Sequence, residues 1–389
     1  MRDRPVGASA DEQPAAHPQT VHLASMSTFP STAANSVQVI HVANALTDLG
    51  WEVTLHGFRG DGFCEGTTWR DYGLRAQLQP LLRPGSQNRV VRLWSLLRTA
   101  VAVWRTRPDL TYTRNPLIAV LTRRGRRGKL CEIHQVPRPG SAMGVLMRLM
   151  TWQPGKTLLV FITEAVQRDT NARFPRARRL PQLVAPSGVD VEAFSTADPT
   201  YPRPPGSALR VGYVGSLYEG RGVDVILACA RRLPEHEFLV VGGTDEQWEL
   251  VTSQGVPENL RRLPHQPAVA VPGILRSCDV LLAPYQEQVR AFGDAGDISG
   301  WMSPLKIFEY MGSGRAIIAS RLPVLSEVLS DGHNATLAPH DDLEAWVQAI
   351  INLSQDEDRR LRLGRQAQLD AADKFSWKQR TAHILEALV

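Results

Sequence analysis

Cysteine is scarce in this sequence of 389 residues, and the four present, Cys64, Cys131, Cys229 and Cys278, form neither a CxxC pair nor a Cys/His cluster. A disulfide framework and a zinc site are therefore not expected, and a reducing cytoplasm is the compartment that fits. Long apolar runs are missing too, so no bilayer-spanning segment is expected, and the polar residues 1–20 lack the apolar core of a signal peptide. They read as a disordered tail. Lysine is limited to Lys129, Lys156, Lys306, Lys374 and Lys378, so arginine carries nearly all the positive charge. No D-x-D tripeptide reads as a metal motif, and no distinctive carboxylate pair offers the acid and nucleophile of a glycosidase. Neither cofactor nor metal is expected.

What is present suits two globular domains: 43% of residues are apolar, and the chain is too long for one ordinary core. The formal charge of +5 would suit nucleic acid, an anionic membrane surface or a phosphorylated ligand, and does not choose among them. Short β-rich runs at 21–27, 51–58, 109–114, 129–134 and 157–163 alternate with helical periods. The helix at 36–49 places Val39, Val42, Ala43, Leu46 and Leu49 on one face, with Gly50 as its stop. Prolines and small polar residues break the pattern at 186–208, where a hinge is expected. Strands then resume at 209–214, 237–241, 259–263, 279–284 and 315–320, with helices at 223–233 and 245–253, and mostly helix from 341. The fold class is α/β: two doubly wound Rossmann-like domains, 21–186 and 209–389, joined by a linker at 187–208. They face a central cleft, with ligands at the carboxyl ends of the strands.

The most informative stretch is WMSPLKIFEYMGSGRAIIAS, residues 301–320. Ser303 reads as an N-cap, Pro304 as the first helical residue and Gly312 or Gly314 as the stop. The N-terminus of this helix, with Lys306 near it, suits an anion. Glu309 lies among Ile307, Phe308, Tyr310 and Met311, and a carboxylate there needs hydrogen-bond donors. It lies about 7.5 Å along the axis from Pro304, a suitable offset between a bound diphosphate and its ribose. A second motif, VGYVGSLYEGRGVD at 211–224, runs from strand through a glycine-rich turn containing Gly215, Ser216 and Arg221 into a helix. It is not a P-loop, because Arg221 and Gly222 stand where lysine and Ser/Thr are required. In the first half, TFPSTAANSVQV places Ser31, Asn35 and Ser36 by a helix N-terminus, where Ser36 reads equally as a plain cap. His134, with Glu132 two residues before it, ends one strand, and Arg114 ends the strand before that.

These motifs resemble the retaining glycosyltransferases of family 4, which have the GT-B architecture. The resemblance runs from about Val21 onward and is strongest in the second half, through SPLKIFEYM, PSGVD and APHDDLEAWVQAI; the Ala-Asn-Ser turn is similar to that of one subgroup. It implies a nucleotide-diphosphate sugar donor held by Gly215, Ser216, Arg221, Ser303, Pro304, Leu305, Lys306 and Glu309, the last on the ribose hydroxyls. His134, Arg221 and Lys306 are the implied catalytic residues, with Asn35, Ser36 and Arg114 contacting acceptor or phosphate. Two departures stand out. Trp301 replaces the family's first glutamate, for which Asp294 or Asp297 would be the loop substitutes, a solvated loop aspartate being the plainer reading of both, and Ser216 replaces an arginine, a loss that Lys306 would make good.

The activity implied is metal-independent sugar transfer with retention to a hydroxyl acceptor, such as an envelope glycan, a lipid-linked sugar or a small aglycone like an aminocyclitol. A sugar-nucleotide epimerase and a noncatalytic nucleotide-sugar-binding subunit are the alternatives. Nucleic acid is not expected, since no aromatics interleave Arg123, Arg124, Arg126 and Arg127. That run reads as a solvated loop and 143–152 as core, peripheral membrane contact being the alternative for both.

Overall fold

The computed structural model describes residues 18–388 apart from 32, 76–77, 86–87, 123–124, 153–156, 203–207 and 291–296. Asp294, Arg123, Arg124 and residues 1–17 of the expected tail lie outside the described residues.

The first sheet contains β1 (Gln19–Phe29), β2 (Trp51–Arg59), β3 (Gln79–Pro84), β4 (Leu110–Thr113), β5 (Gly128–Ile133), β6 (Thr157–Phe161) and β7 (Gln182–Val184). Six helices connect them: α1 (Ala34–Asp48), α2 (Glu65–Tyr72), α3 (Arg89–Thr106), α4 (Pro116–Leu121), α5 (Ala142–Trp152) and α6 (Glu164–Arg173). After α7 (Val191–Thr196), the second half runs β8 (Arg210–Val214), α8 (Val223–Arg232), β9 (Glu237–Val241), α9 (Asp245–Val251), β10 (Leu260–Leu263), α10 (Val271–Arg276) and β11 (Val280–Ala283). It continues through α11 (Leu305–Ser313), β12 (Ala316–Ser320), β13 (Thr336–Ala338), α12 (Leu343–Gln355), α13 (Glu357–Lys374) and α14 (Trp377–Glu386).

Both sheets are parallel, with strand orders β3-β2-β1-β4-β5-β6-β7 and β10-β9-β8-β11-β12-β13. Each therefore reverses direction once, between β1 and β4 and between β8 and β11. The crevices beyond those strand ends are where doubly wound sheets take ligands. Strands such as β8, β9, β11 and β12 are buried along their whole length because helices cover both faces, hence their near-continuous apolar sequences.

Several local expectations change. The hinge contains a helix after all, α7, capped by the Asp190 carboxylate accepting from Ala193 N–H at 3.3 Å. The tripeptide of Asp356, Glu357 and Asp358 starts α13, where the Asp356 side chain caps Arg359 N–H. Segment 143–152 is a helix of which Gly144, Met147 and Met150 are buried while Val145, Leu149 and Trp152 are exposed, so it is not wholly core. Helix α14 leaves the second half and packs on α1, with Trp377 stacked on His41. Among the described residues no helix is long and apolar enough to cross a membrane.

A buried histidine pair beneath the first sheet makes stability pH-dependent. His56 Nε2 lies 2.9 Å from His22 Nδ1, and burial lowers His22 from 6.5 to about 4 and His56 to about 3, helped at His56 by His22 and Arg83. The unfolded chain therefore takes up these protons first, so the stabilisation is complete above pH 6.5 and is lost as pH falls towards 4. At about 1.4 kcal/mol per unit, each histidine forfeits roughly 3 kcal/mol by the end of that window. Urea midpoints should fall across it, and His22→Gln should flatten the slope.

Candidate active site

The crevice of the second sheet is built on tight backbone contacts. Strand β8 enters the turn at Gly215, and Gly222 (φ +73°) begins α8 with no side-chain cap. A Cβ on Gly222 would overlap the Pro284 carbonyl beyond β11, so glycine is needed there on both conformational and steric grounds. Helix α11 is pinned to the same strand end: the Tyr310 hydroxyl accepts from Val214 N–H (2.8 Å) and donates to Val214 C=O (3.2 Å).

That anchorage fixes Lys306 and Glu309 one turn apart on α11. Lys306 is buried, with its Nζ 3.9 Å from the centre of the Tyr213 ring and 4.6 Å from that of Tyr285. A Cβ built on Gly215 would come 3.0 Å from this Nζ, so a side chain there would crowd the lysine. Arg221 closes the other side, its guanidinium 5.3 Å from the Tyr285 ring centre. Among the described residues, neither Lys306 Nζ nor Arg221 Nε has a hydrogen-bond partner. Burial first, and then Arg221, push the Lys306 ammonium well below its ordinary value, with Glu309 opposing. Burial raises Glu309 to about 7 against the pull of Lys306. Two cations with unfilled donors thus meet at a helix start, an arrangement completed by an anion.

Other residues assigned to the donor have different partners. Ser303 does not cap the helix. The N-cap is Pro304 (φ −74°, ψ 123°), without a side-chain cap, and Leu305 is the first helical residue. Ser303 Oγ instead accepts from Ser187 N–H, and its carbonyl accepts from Ser187 Oγ, both at 2.9 Å. Leu305 packs against the first domain's core. Ser216 is half-buried in the turn, and its carbonyl accepts from the Tyr213 hydroxyl at 2.6 Å. Trp301 spans the two halves: its Nε1–H donates to Asp169 on α6 (2.8 Å), Arg173 lies over its ring, and it packs on the cluster containing Ile133 and Val136. Asp297 does not substitute for the missing glutamate, because its carboxylate is used by Val289 N–H, Ser299 N–H and Ser299 Oγ.

The first sheet presents a charged cluster at its own crevice. Glu132 is buried, and its Oε1 accepts from Arg114 Nη2 (3.1 Å) and His134 Nε2 (2.6 Å). Its Oε2 takes the Tyr112 hydroxyl and lies 3.2 Å from Arg380 on α14. Burial alone would raise this carboxyl, but Arg380 and Arg114 outweigh it and hold it well below the usual range. An ionised Glu132 only accepts, so His134 carries its proton on Nε2 and presents a free Nδ1 acceptor. Burial, then Arg114, lower His134 to about 4, so it is neutral at pH 7.

Arg114 also donates to the Asn35 carbonyl (3.4 Å), bringing the exposed Asn35 to the rim. Ser36 lies inside the first turn of α1, completely buried, donating to Thr28 C=O at 2.9 Å, which excludes it from ligand contact. The α1 cap is Ala33, with no side-chain bond. Glu132 had only its place at a strand end to mark it, and Arg380 no local signal at all.

Residues 208–356 match the family model described as Glycosyl transferases group 1. The chain is similar to a phosphatidyl-myo-inositol mannosyltransferase of Mycolicibacterium smegmatis, 29% identical over 206 residues, covering 51% of this chain and 50% of that protein. It is 27% identical over 224 residues to a D-inositol 3-phosphate glycosyltransferase of Stackebrandtia nassauensis, covering 52% and 47%. The chain thus spans about half the length of the curated relatives it matches. Among solved structures, Anabaena HepE in complex with UDP and glucose superposes with a TM-score of 0.67 at 16% identity, covering 96% of this chain and 99% of that one. The fold is that of GT-B proteins, two Rossmann-like domains.

Proposed function

We propose that this chain is a retaining, metal-independent glycosyltransferase of the cytoplasm that moves a sugar from a nucleoside-diphosphate donor to a hydroxyl acceptor. The observation that carries the reading is the pair of cationic donors, Lys306 Nζ and Arg221 Nε, unfilled among the described residues and beside the glycine turn at the switch point of the second sheet. A leaving diphosphate would complete both, and its charge grows as the bond to the anomeric carbon breaks. The acceptor oxygen then bonds to that carbon on the face the diphosphate has left, and its proton passes to the departing phosphate oxygen. Neutral His134, oriented by Glu132, would accept a hydrogen bond from the sugar. At the β2–β3 edge of the first sheet, a cavity of about 270 Å³ lined by Arg59, Phe63, Glu65, Trp69 and Arg83 has aromatic and charged walls that would suit an envelope glycan or a small aglycone. The match of residues 208–356 and the relatives' printed activities support the reading.

A noncatalytic nucleotide-sugar-binding role is the second reading, favoured by one observation: Trp301 is held by Asp169, leaving no carboxylate at that position. Incubation with a panel of labelled sugar nucleotides and candidate acceptors separates transfer, epimerisation and binding. Glu309 supplies a sharper test of donor binding. Burial raises its carboxyl to about 7 in the empty site, and only the ionised form has both oxygens free to accept from the two ribose hydroxyls. Donor Kd, measured by calorimetry, should fall as pH rises from 6 to 8. Glu309→Gln should abolish the slope, and Glu309→Ala should weaken binding by at least about tenfold, one charged hydrogen bond contributing about 1.5–3 kcal/mol.

A further inference from the structure

Helix α3 is apolar on its outer side as well as on its inner one, where Ala100 and Val103 are buried. Polar Ser95 and Thr99 lie buried on its inner side, Thr99 accepting from Arg83 Nε at 2.9 Å, while Val90, Trp94, Val101 and Trp104 are 74, 63, 48 and 42% exposed. Together with half-buried Leu97, these follow one another at steps of four and three residues, which aligns them in one stripe. Helix α5 repeats the pattern: Gly144, Met147 and Met150 face inward while Val145, Leu149 and Trp152 are exposed at the same spacing. Helix α4 packs against both, so the three form one layer over the first sheet.

The charge on this part of the chain is equally one-sided. Residues 89–163 contain 14 Arg and Lys but only two acids, Asp109 and Glu132, and the latter is buried. The segment is therefore +12 in a chain of net +5, leaving −7 for the remainder. Arg92, Arg98 and Arg105 on α3 and Arg148 on α5 are exposed beside the stripes, and none has a carboxylate partner among the described residues.

An outward apolar stripe needs a cover, and the rim of arginines decides which. A second copy meeting this face through a two-fold axis would bring like charge against like. Nucleic acid would use the arginines but has no use for lines of valine and leucine. An anionic bilayer surface uses both, taking aliphatic and tryptophan side chains below the headgroups and guanidinium groups at the phosphates. We propose that the α3 and α5 face docks peripherally on an anionic phospholipid surface, with Trp94, Trp104, Leu149 and Trp152 entering the headgroup layer. The proposal does not depend on the transferase reading.

The test is co-sedimentation of the full chain with phosphatidylcholine vesicles and with vesicles that also contain phosphatidylglycerol. Binding is expected to the latter alone, with a blue shift in tryptophan fluorescence and weakening by salt. Trp94→Ser with Val90→Ser, and separately Arg98→Glu with Arg105→Glu, should each lower vesicle affinity by at least about tenfold while leaving thermal melting unchanged, since all four side chains are exposed. No binding to phosphatidylglycerol vesicles, or binding that these variants leave intact, would overturn the proposal. So would tighter binding to an oligonucleotide than to vesicles, or a dimer in sedimentation velocity that the tryptophan variant dissociates.

Discussion

Lys306→Met is expected to lower kcat by about 10² to 10³ without destabilising the protein, because the lysine is a cost to the fold and an asset to the reaction. Its ammonium is buried against two tyrosine rings without a hydrogen-bond partner among the described residues, and burial and Arg221 both disfavour its charge. Methionine of similar length removes an uncompensated charge, so the urea midpoint should hold or rise. Catalysis loses one fixed cation facing the leaving diphosphate, a loss of the size seen when one preorganised donor is deleted. The effect should fall on kcat more than on KM, since the diphosphate carries more charge in the transition state than in the bound donor.

Arg221→Ala should add to it, and Arg221→Lys should recover most activity where a point charge suffices. With these cations fixed in place, EDTA should leave the wild-type rate unchanged. Full activity in Lys306→Met, or activity lost in EDTA and restored by manganese, would show that the leaving-group charge is met elsewhere.

The readable parts of the sequence were those decided locally. Strands β9, β11 and β12 are buried on both faces and so appear as continuous apolar runs, the first of them with its bounds unchanged at Glu237–Val241. Strand β3 carries two prolines and β7 has three residues, both at sheet edges, so their pairing is decided by neighbours rather than by their own composition. Helix α3 has no clear signature in the sequence, because apolar residues surround it and no single stripe marks its inner side.

The cradle residues could be placed because Gly215, Arg221, Lys306 and Glu309 sit at strand ends and a helix start, features with local signatures. Ser303 and Ser36 have the same capping signature, but their hydroxyls went to Ser187 and Thr28, partners that a local reading does not weigh. Trp301 is held by Asp169, 132 residues away, and Tyr112 meets Arg380 across 268 residues. Contacts of that span are products of the topology.

Glu132 is where such long-range contacts carry the largest energies. Glu132→Ala should destabilise the protein by about 3–5 kcal/mol, because Arg380, 3% exposed, and Arg114, 11% exposed, would face each other across the gap with no carboxylate between them. The Tyr112 hydroxyl would lose its acceptor as well. Part of the damage should appear as release of α14. Arg380 also donates to the Pro186 and Ala185 carbonyls at 2.5 and 3.1 Å, and its own repulsion from Arg114 would pull against those bonds. Limited proteolysis should then cut between α13 and α14 at a protease concentration that leaves the wild type intact. Glu132→Gln keeps the shape and one acceptor oxygen, so it should fold better than the alanine variant. Yet an amide can donate as well as accept, so it would no longer hold the His134 proton on Nε2. Its kcat should therefore fall even where its urea midpoint recovers. Combining Glu132→Gln with Arg380→Gln should cost less than the sum of the single changes, the coupling expected of two charges that share one buried site. Additive costs in that cycle, with proteolysis unchanged, would mean that Arg380 is held by the Pro186 and Ala185 carbonyls alone and that Glu132 acts on Arg114 and His134.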